Sequence, residues 1–291
     1  MARIKVLHRT VYRYAEAVTF SEHRFMCRPR DSHDLRLLET GIRIDPVPEL
    51  RWLHDVFGNS VLIARFAAPA EQLSFESTFL AEHFPADPDI DLIEPYAMRL
   101  PFSYDAGEMP DLARSAERQY PDSRHQVDAW VREICARAET DDTLSLIKAI
   151  THAIKDGFEY RARDEEGTQT PVQTLEQGSG SCRDFALLMI EAVRSLGLAA
   201  RFVSGYLYDE SLVDAEDAMV GGGATHAWVQ VYLPGAGWLP FDPTNGIVGG
   251  RNLIRVAVAR DPSQAAPLTG SYIGPANAYL GMEVEVKVSV E

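Results

Sequence analysis

The sequence predicts an α+β protein: an N-terminal antiparallel β-sandwich, followed by a unit in which one helix packs on an antiparallel sheet. Three observations carry this prediction. Residues up to 84 show period-two alternation broken by turn residues, with no helical spacing. Residues 127–154 switch to apolar spacings of three and four. From 182 onward one more helix leads into a series of strands. The chain has 291 residues, and at roughly 100–200 residues per domain this suggests two domains. They are expected at 1–84 and 109–291, joined by an extended connector at 85–108.

In chain order, Ile4, Val6, His8, Thr10, Tyr12 and Tyr14 share one face of a strand, with Lys5, Arg9 and Arg13 on the other. Strand-like runs follow at 37–44, 61–66 and 73–80, separated by Asp45-Pro46-Val47-Pro48 and Gly58-Asn59. Several short strands with turn chemistry between them are the pattern of a sandwich. The connector holds Pro85, Pro88, Pro95 and Pro101, and its Leu92, Ile93, Tyr96 and Phe102 suit a segment laid on the surface. Val127, Trp130, Val131, Ile134, Cys135 and Ala138 form a helical stripe. Asp141 or Asp142 caps the next helix, whose Leu146, Ile147, Ile150 and Ile154 face inward until Gly157. A helix over 182–196 carries Phe185, Ala186, Met189, Ile190 and Val193 and stops at Gly197. Strands are expected at 201–208, 227–233 and 238–241, and the alternation of Val284, Val286, Val288 and Val290 gives a last strand assigned to the second domain. An acidic stretch at 209–224, with Gly221-Gly222-Gly223 near its end, reads as a solvated loop and a candidate hinge.

Composition narrows the function classes. Hydrophobic residues make up 46% and charged residues 24%, ordinary globular usage. The net charge of −15 repels phosphate backbones, so no nucleic-acid partner is expected. The first residues lack the apolar run of a signal peptide, and nowhere do 18 apolar residues follow one another, so no membrane partner is expected either. Cys27, Cys135 and Cys182 are too few and too dispersed for a disulfide framework or a metal site. That usage fits a reducing, cytoplasmic compartment. No cofactor and no metal are expected.

The chemistry concentrates at Gly178-Ser179-Gly180-Ser181-Cys182-Arg183-Asp184-Phe185-Ala186. A loop of small residues runs into a helix whose first residue is cysteine, which sets the sulfur near unpaired N–H groups and the positive end of the helix dipole. A free thiol has a pKa of roughly 8.5, falling to about 3.5–7.5 at such positions when a cationic partner is present. Burial is the ordinary fate of a lone cysteine, but the polar flanks Ser181, Arg183 and Asp184 do not suit an apolar pocket. His226, at the boundary between the glycines and a strand, is the candidate cation. Asp242 lies sixteen residues later, at the end of the expected neighbouring strand, where a hairpin brings a carboxylate beside an imidazole. The Asp-Pro pair also suits a plain turn. The Cys182 backbone N–H is a candidate oxyanion donor, with Gln177 and Tyr206 as candidates for a second.

These motifs resemble the transglutaminase-like superfamily, within the wider papain-like cysteine hydrolases. The resemblance rests on residues 178–186, on Ala-Arg-Phe-Val-Ser-Gly-Tyr at 200–206, Thr-His-Ala-Trp-Val at 225–229 and Trp-Leu-Pro-Phe-Asp-Pro-Thr-Asn at 238–245, and covers about 140–250. His8-x-Thr-x-Tyr-x-Tyr at 8–14 and Asp55-Val-Phe-Gly-Asn59 resemble the N-terminal β domain of bacterial members. The resemblance implies a papain-like core with Cys182 as nucleophile, His226 as general base or ion-pair partner and Asp242 as orienting carboxylate. It implies a cysteine protease or amidase acting on a peptide or protein, with protein-glutamine transglutaminase as the alternative. A non-catalytic peptide-binding module is a third reading, from a different class.

Overall fold

The computed structural model describes residues 2–85, 90–163, 167–208 and 224–290. The first unit is built from β1 (Ala2–Phe20), β2 (His23–Phe25), β3 (Leu35–Asp45), β4 (Glu49–His54), β5 (Ser60–Arg65) and β6 (Ala70–His83). Along β1, Ile4, Val6, His8 and Thr10 are buried while Lys5 and Arg9 are exposed, as the alternation requires. β1, β6 and β3 pair antiparallel in one sheet, and β2, β5 and β4 in another. Between them lies a core that includes Val18, Phe20, Phe25, Leu62, Leu73 and Phe75. β4 carries no alternation to read because it is an edge strand with no fully buried residue.

The second unit opens with α1 (Met109–Ala116), α2 (Gln126–Ala138) and α3 (Thr143–Gly157), the last capped by Asp142, whose carboxylate accepts from Ser145 N at 2.8 Å. β7 (Glu159–Tyr160), α4 (Pro171–Gln177) and β8 (Ser179–Gly180) follow, with β7 and β8 parallel. α5 (Cys182–Ser195) then leads into β9 (Ala200–Leu207), β10 (Thr225–Leu233), β11 (Gly237–Asp242), β12 (Ile247–Val248) and β13 (Leu253–Ala259). These five strands form an antiparallel sheet in the order β12-β11-β10-β9-β13. Every residue of α5 from Asp184 to Arg194 is buried, because α2, α3 and α4 pack on one side of the helix and β9 and β10 on the other. An apolar stripe alone does not announce burial on all sides. Its polar members are paired: Glu191 accepts from Arg194 at 2.9 Å and from Arg118 at 3.0 Å. The connector is laid on this unit. Ile93 and Ala97 are buried, Glu94 N donates to Pro234 O, and Thr143 Oγ1 donates to Ala97 O at 2.7 Å.

The last segment corrects the expected domain boundary. β14 (Leu268–Thr269) pairs with β2, β15 (Tyr272–Ile273) with β1, and β16 (Tyr279–Val290) runs antiparallel along β1 from Ile4 to Tyr14. The valine alternation was read correctly as a strand, but alternation does not say which sheet a strand joins. β16 completes the first unit, so the second unit is held between two parts of the first.

The two units share an interface. Ile4, Val6 and Phe79 of the first pack with Tyr206, Tyr208, Ile254 and Val256 of the second. His8 Nδ1 lies 2.9 Å from the Tyr206 hydroxyl, and His83 Nδ1 lies 3.1 Å from the Tyr208 hydroxyl. Burial pulls His8 down to about 4, so this bond involves a neutral ring. The 55–59 turn supplies the second tie. Asp55 accepts from Phe57 N, Asn59 N and Asn59 Nδ2. The Asn59 amide so held donates to Val258 O at 2.7 Å and accepts from Val258 N at 2.9 Å. It therefore satisfies the backbone of β13, an edge of the second unit's sheet, as a neighbouring strand would.

Replacing Asn59 by Ala orphans both Val258 groups in a buried position. We expect unfolding stability to fall by about 2–4 kcal/mol, read as a lower urea midpoint.

Candidate active site

Cys182 is the first residue of α5, and Ser181 ahead of it has extended backbone (φ −87°, ψ 174°). The junction is held by Asp184, whose side chain is fully buried. Its carboxylate accepts from Ser181 N at 2.8 Å, Ser181 Oγ at 2.9 Å and Gln169 N at 2.7 Å, and it pairs with Arg163 Nη1 at 2.9 and 3.0 Å. A Ser-x-x-Asp pattern at a helix start is a capping signal readable in sequence. Here the same carboxylate also binds Arg163 and Gln169. Gly180 follows from this arrangement, since a Cβ there would stand 2.8 Å from the Asp184 Cβ. Gly180 thus makes room for the carboxylate that fixes the loop.

His226 is the second residue of β10 and lies opposite Gly205 of β9. A Cβ on Gly205 would come within 2.0 Å of Ile254 O and 2.7 Å of the Trp228 ring, so glycine is required for the three strands to close here. The imidazole stacks on Trp228, with centroids 6.1 Å apart and planes 24° apart. Its Nε2 lies 2.8 Å from Asp242 Oδ2, and both side chains are fully buried. Asp242 ends β11. It also accepts from Asn245 Nδ2 at 2.8 Å, Thr244 N at 2.9 Å and Asn245 N at 3.3 Å. Asn245 is thus a second orienting side chain that the sequence reading quoted but did not use.

The other ring nitrogen, Nδ1, is buried with no partner at hydrogen-bonding geometry. The Cys182 side chain lies close enough to act on the ring by hydrogen bonding and by charge, its contact with Nδ1 falling short of full hydrogen-bond geometry. Burial disfavours the imidazolium, but the charge and hydrogen bond of Asp242 outweigh it and Cys182 adds to them, raising His226 to about 10. Burial likewise pushes Asp242 up, and His226, Asn245 and the Thr244 N–H more than reverse this, holding it below the usual carboxylate range. Cys182 is 7% exposed and borders the main core. Tyr160 forms an exposed aromatic wall nearby, on β7 opposite Gly180 and with its ring 6.4 Å from Phe185.

Cys182, His226 and Asp242 therefore come together, while Tyr206, one of the two further sequence candidates, is engaged elsewhere. Tyr206 is 2% exposed and its hydroxyl is bonded to His8, so it belongs to the interface between units and is not free to bind an oxyanion. Gln177 is exposed at the end of α4, with its Oε1 accepting from Gln169 Nε2 at 2.8 Å. Cys27 is buried and its thiol is pushed up to about 12 by that burial, against the pull of Ser77 and Arg28, which makes it inert. Cys135 is half-buried on α2, and burial raises its thiol too. All three cysteines are free. Among the described residues no group of three or more His, Cys, Asp or Glu could hold a metal ion. The candidate hinge and all of the acidic stretch except Ala224 lie outside the described residues. No helix among the described residues is long and apolar enough to cross a membrane.

Comparison with known proteins adds to this geometry. Residues 128–243 match the family described as the transglutaminase-like superfamily, and residues 4–82 match the bacterial transglutaminase-like N-terminal region. An uncharacterized protein of Mycobacterium tuberculosis is 30% identical over 292 aligned residues, which span 98% of this chain and 92% of that protein. A protein-glutamine gamma-glutamyltransferase of Pseudomonas aeruginosa is 38% identical over 66 residues, covering 23% of this chain and 10% of that protein. A crystal structure from Cytophaga hutchinsonii, described provisionally as a cysteine protease, superposes with a TM-score of 0.70 at 20% identity. It covers 99% of this chain and 90% of that one.

A pKa raised on folding stabilises the protein below the unfolded value of about 6.5, and that gain is lost as pH climbs through the folded value. The His226–Asp242 pair should therefore contribute fully at pH 6 and fade towards pH 10. Asp242→Asn removes the charge, so His226 should titrate at least two units lower in a nitrogen-detected NMR titration.

Proposed function

Because the chain belongs to the transglutaminase-like superfamily, we propose that it is a cysteine-dependent acyl-transfer enzyme, a peptidase or amidase that opens a peptide or carboxamide bond. The observation that carries this reading is the meeting of Cys182, His226 and Asp242, contributed by one helix start and two adjacent strands. In this reading the Cys182 sulfur, as thiolate, attacks the substrate carbonyl carbon and an S–C bond forms. The developing oxyanion is met by the Cys182 backbone N–H, which has no partner within the helix at its first position. His226, kept protonated by Asp242, delivers the Nδ1 proton to the leaving nitrogen as the C–N bond breaks. Water then attacks the thioacyl carbon, His226 takes up its proton, and the S–C bond breaks to release the acid. Asp242 holds the ring in orientation throughout and is not itself protonated, the part a carboxylate plays in the serine-protease triad.

Transamidation is the second reading, favoured by the 66-residue likeness to a gamma-glutamyltransferase. It differs only in the acceptor, with a primary amine in place of water. The absence of disulfides supports a reducing, cytoplasmic setting as part of the proposal.

Cys182→Ala should abolish turnover of peptide and carboxamide substrates, and iodoacetamide at pH 7 should modify Cys182 well ahead of Cys27. If Cys182 reacts no faster than a free thiol and its loss changes no acyl-transfer rate, the proposal fails. Ammonia release from glutamine peptides, followed with and without added primary amine, separates hydrolysis from transfer.

A further inference from the structure

Arg183 is the second residue of α5, next to Cys182 and half-buried. Four other enclosed guanidinium groups of this acidic chain are matched, while Arg260, half-buried with its Nε lacking a partner, is not. Arg163 pairs with Asp184, Arg118 with Glu191 and Asp128, Arg194 with Glu191, and Arg201 lies over Trp238 and bonds Gln230. Among the described residues Arg183 has no carboxylate within ion-pair distance and no side-chain hydrogen bond. The adjacent acid cannot serve, since both Asp184 oxygens are taken by Arg163, Ser181 and Gln169. Glu159, on the neighbouring strand, is matched by Arg161 at 2.6 Å. Tyr160, opposite Gly180, sets an exposed aromatic face beside the same helix start. Its phenol is raised first by burial, then by the charge of Cys182 and of Asp184, while Arg183 pulls it down, so Tyr160 lies within electrostatic reach of both Cys182 and Arg183.

We propose that Arg183, backed by Tyr160, is a specificity-determining group that recognises a carboxylate on the substrate next to the carbonyl presented to Cys182. This rests on Cys182 being the nucleophile and adds that the preferred acyl donors are anionic. A half-buried guanidinium with no partner among the described residues retains a net demand for a carboxylate, and a chain carrying −15 would otherwise repel anions.

Two alkylating agents of nearly equal shape test this without a known substrate: iodoacetate carries a carboxylate where iodoacetamide carries an amide. With each, the thiolate forms an S–C bond and iodide leaves. The rate ratio of iodoacetate to iodoacetamide at Cys182 should exceed the ratio for N-acetylcysteinamide by about three- to fivefold, the range of a partly exposed ion pair. Arg183→Gln should lower it about two- to fourfold, leaving the pull of the His226 imidazolium, and Arg183→Lys should keep part of the preference. A wild-type ratio at or below the reference, or one unchanged in Arg183→Gln, overturns the proposal. Slow reaction with iodoacetamide itself counts against the nucleophile instead and leaves the ratio readable. Protection of Cys182 by acetylglutamate α-amide, compared with its isomer acetylglutamine, tells a side-chain carboxylate from a terminal one. Neutral acetylglutamine amide should protect more weakly than the better of the two, and equal protection by all three also overturns the proposal.

Discussion

The site depends on the buried pair between Asp242 and His226. A carboxylate removed from water is costly unless its lone pairs are filled, and here they are filled by the ring, the Asn245 amide and two backbone N–H groups. The satisfied carboxylate has little freedom to turn, so it fixes the imidazole plane, and the stacked Trp228 closes one face. The result is a histidine that keeps its proton in an enclosed place where burial alone would strip it.

A second buried carboxylate does for the helix what Asp242 does for the strand. Asp184 converts the first turn of α5 into a fixed joint by binding the loop before it together with Arg163 and Gln169. Its charge, two residues from Cys182, would oppose a thiolate if it stood alone, and Arg163 offsets it. The position of Cys182 is thus set by polar bonds at the end of a helix whose remaining length is locked into the core.

Much of this was legible in the sequence where chemistry and period coincide. Cys182, His226 and Asp242 each sit at an element boundary, and the helices with apolar stripes appear where their spacing puts them. What was not legible depends on partners far away in the chain. Tyr206 was a candidate oxyanion donor, yet its hydroxyl is claimed by His8, a residue of the first strand. β4 gave no signal because neither of its faces is fully covered. The valines of β16 showed that a strand existed but not which sheet would receive it. Asn59 read as half of a Gly-Asn turn, while its amide spans to Val258.

The pairing of β16 along β1 carries a consequence for biogenesis. A ribosome releases β1 long before β16, so one side of the first sheet stays open while everything between them is made. Until β16 arrives, the neighbouring backbone donors of β1 from Ile4 to Tyr14 have no strand to receive them, and such an edge invites association between nascent chains. Closure of the sheet therefore waits for the whole second unit to be made, and the mature tertiary arrangement is sealed by a β-strand that follows that unit rather than assembled domain by domain.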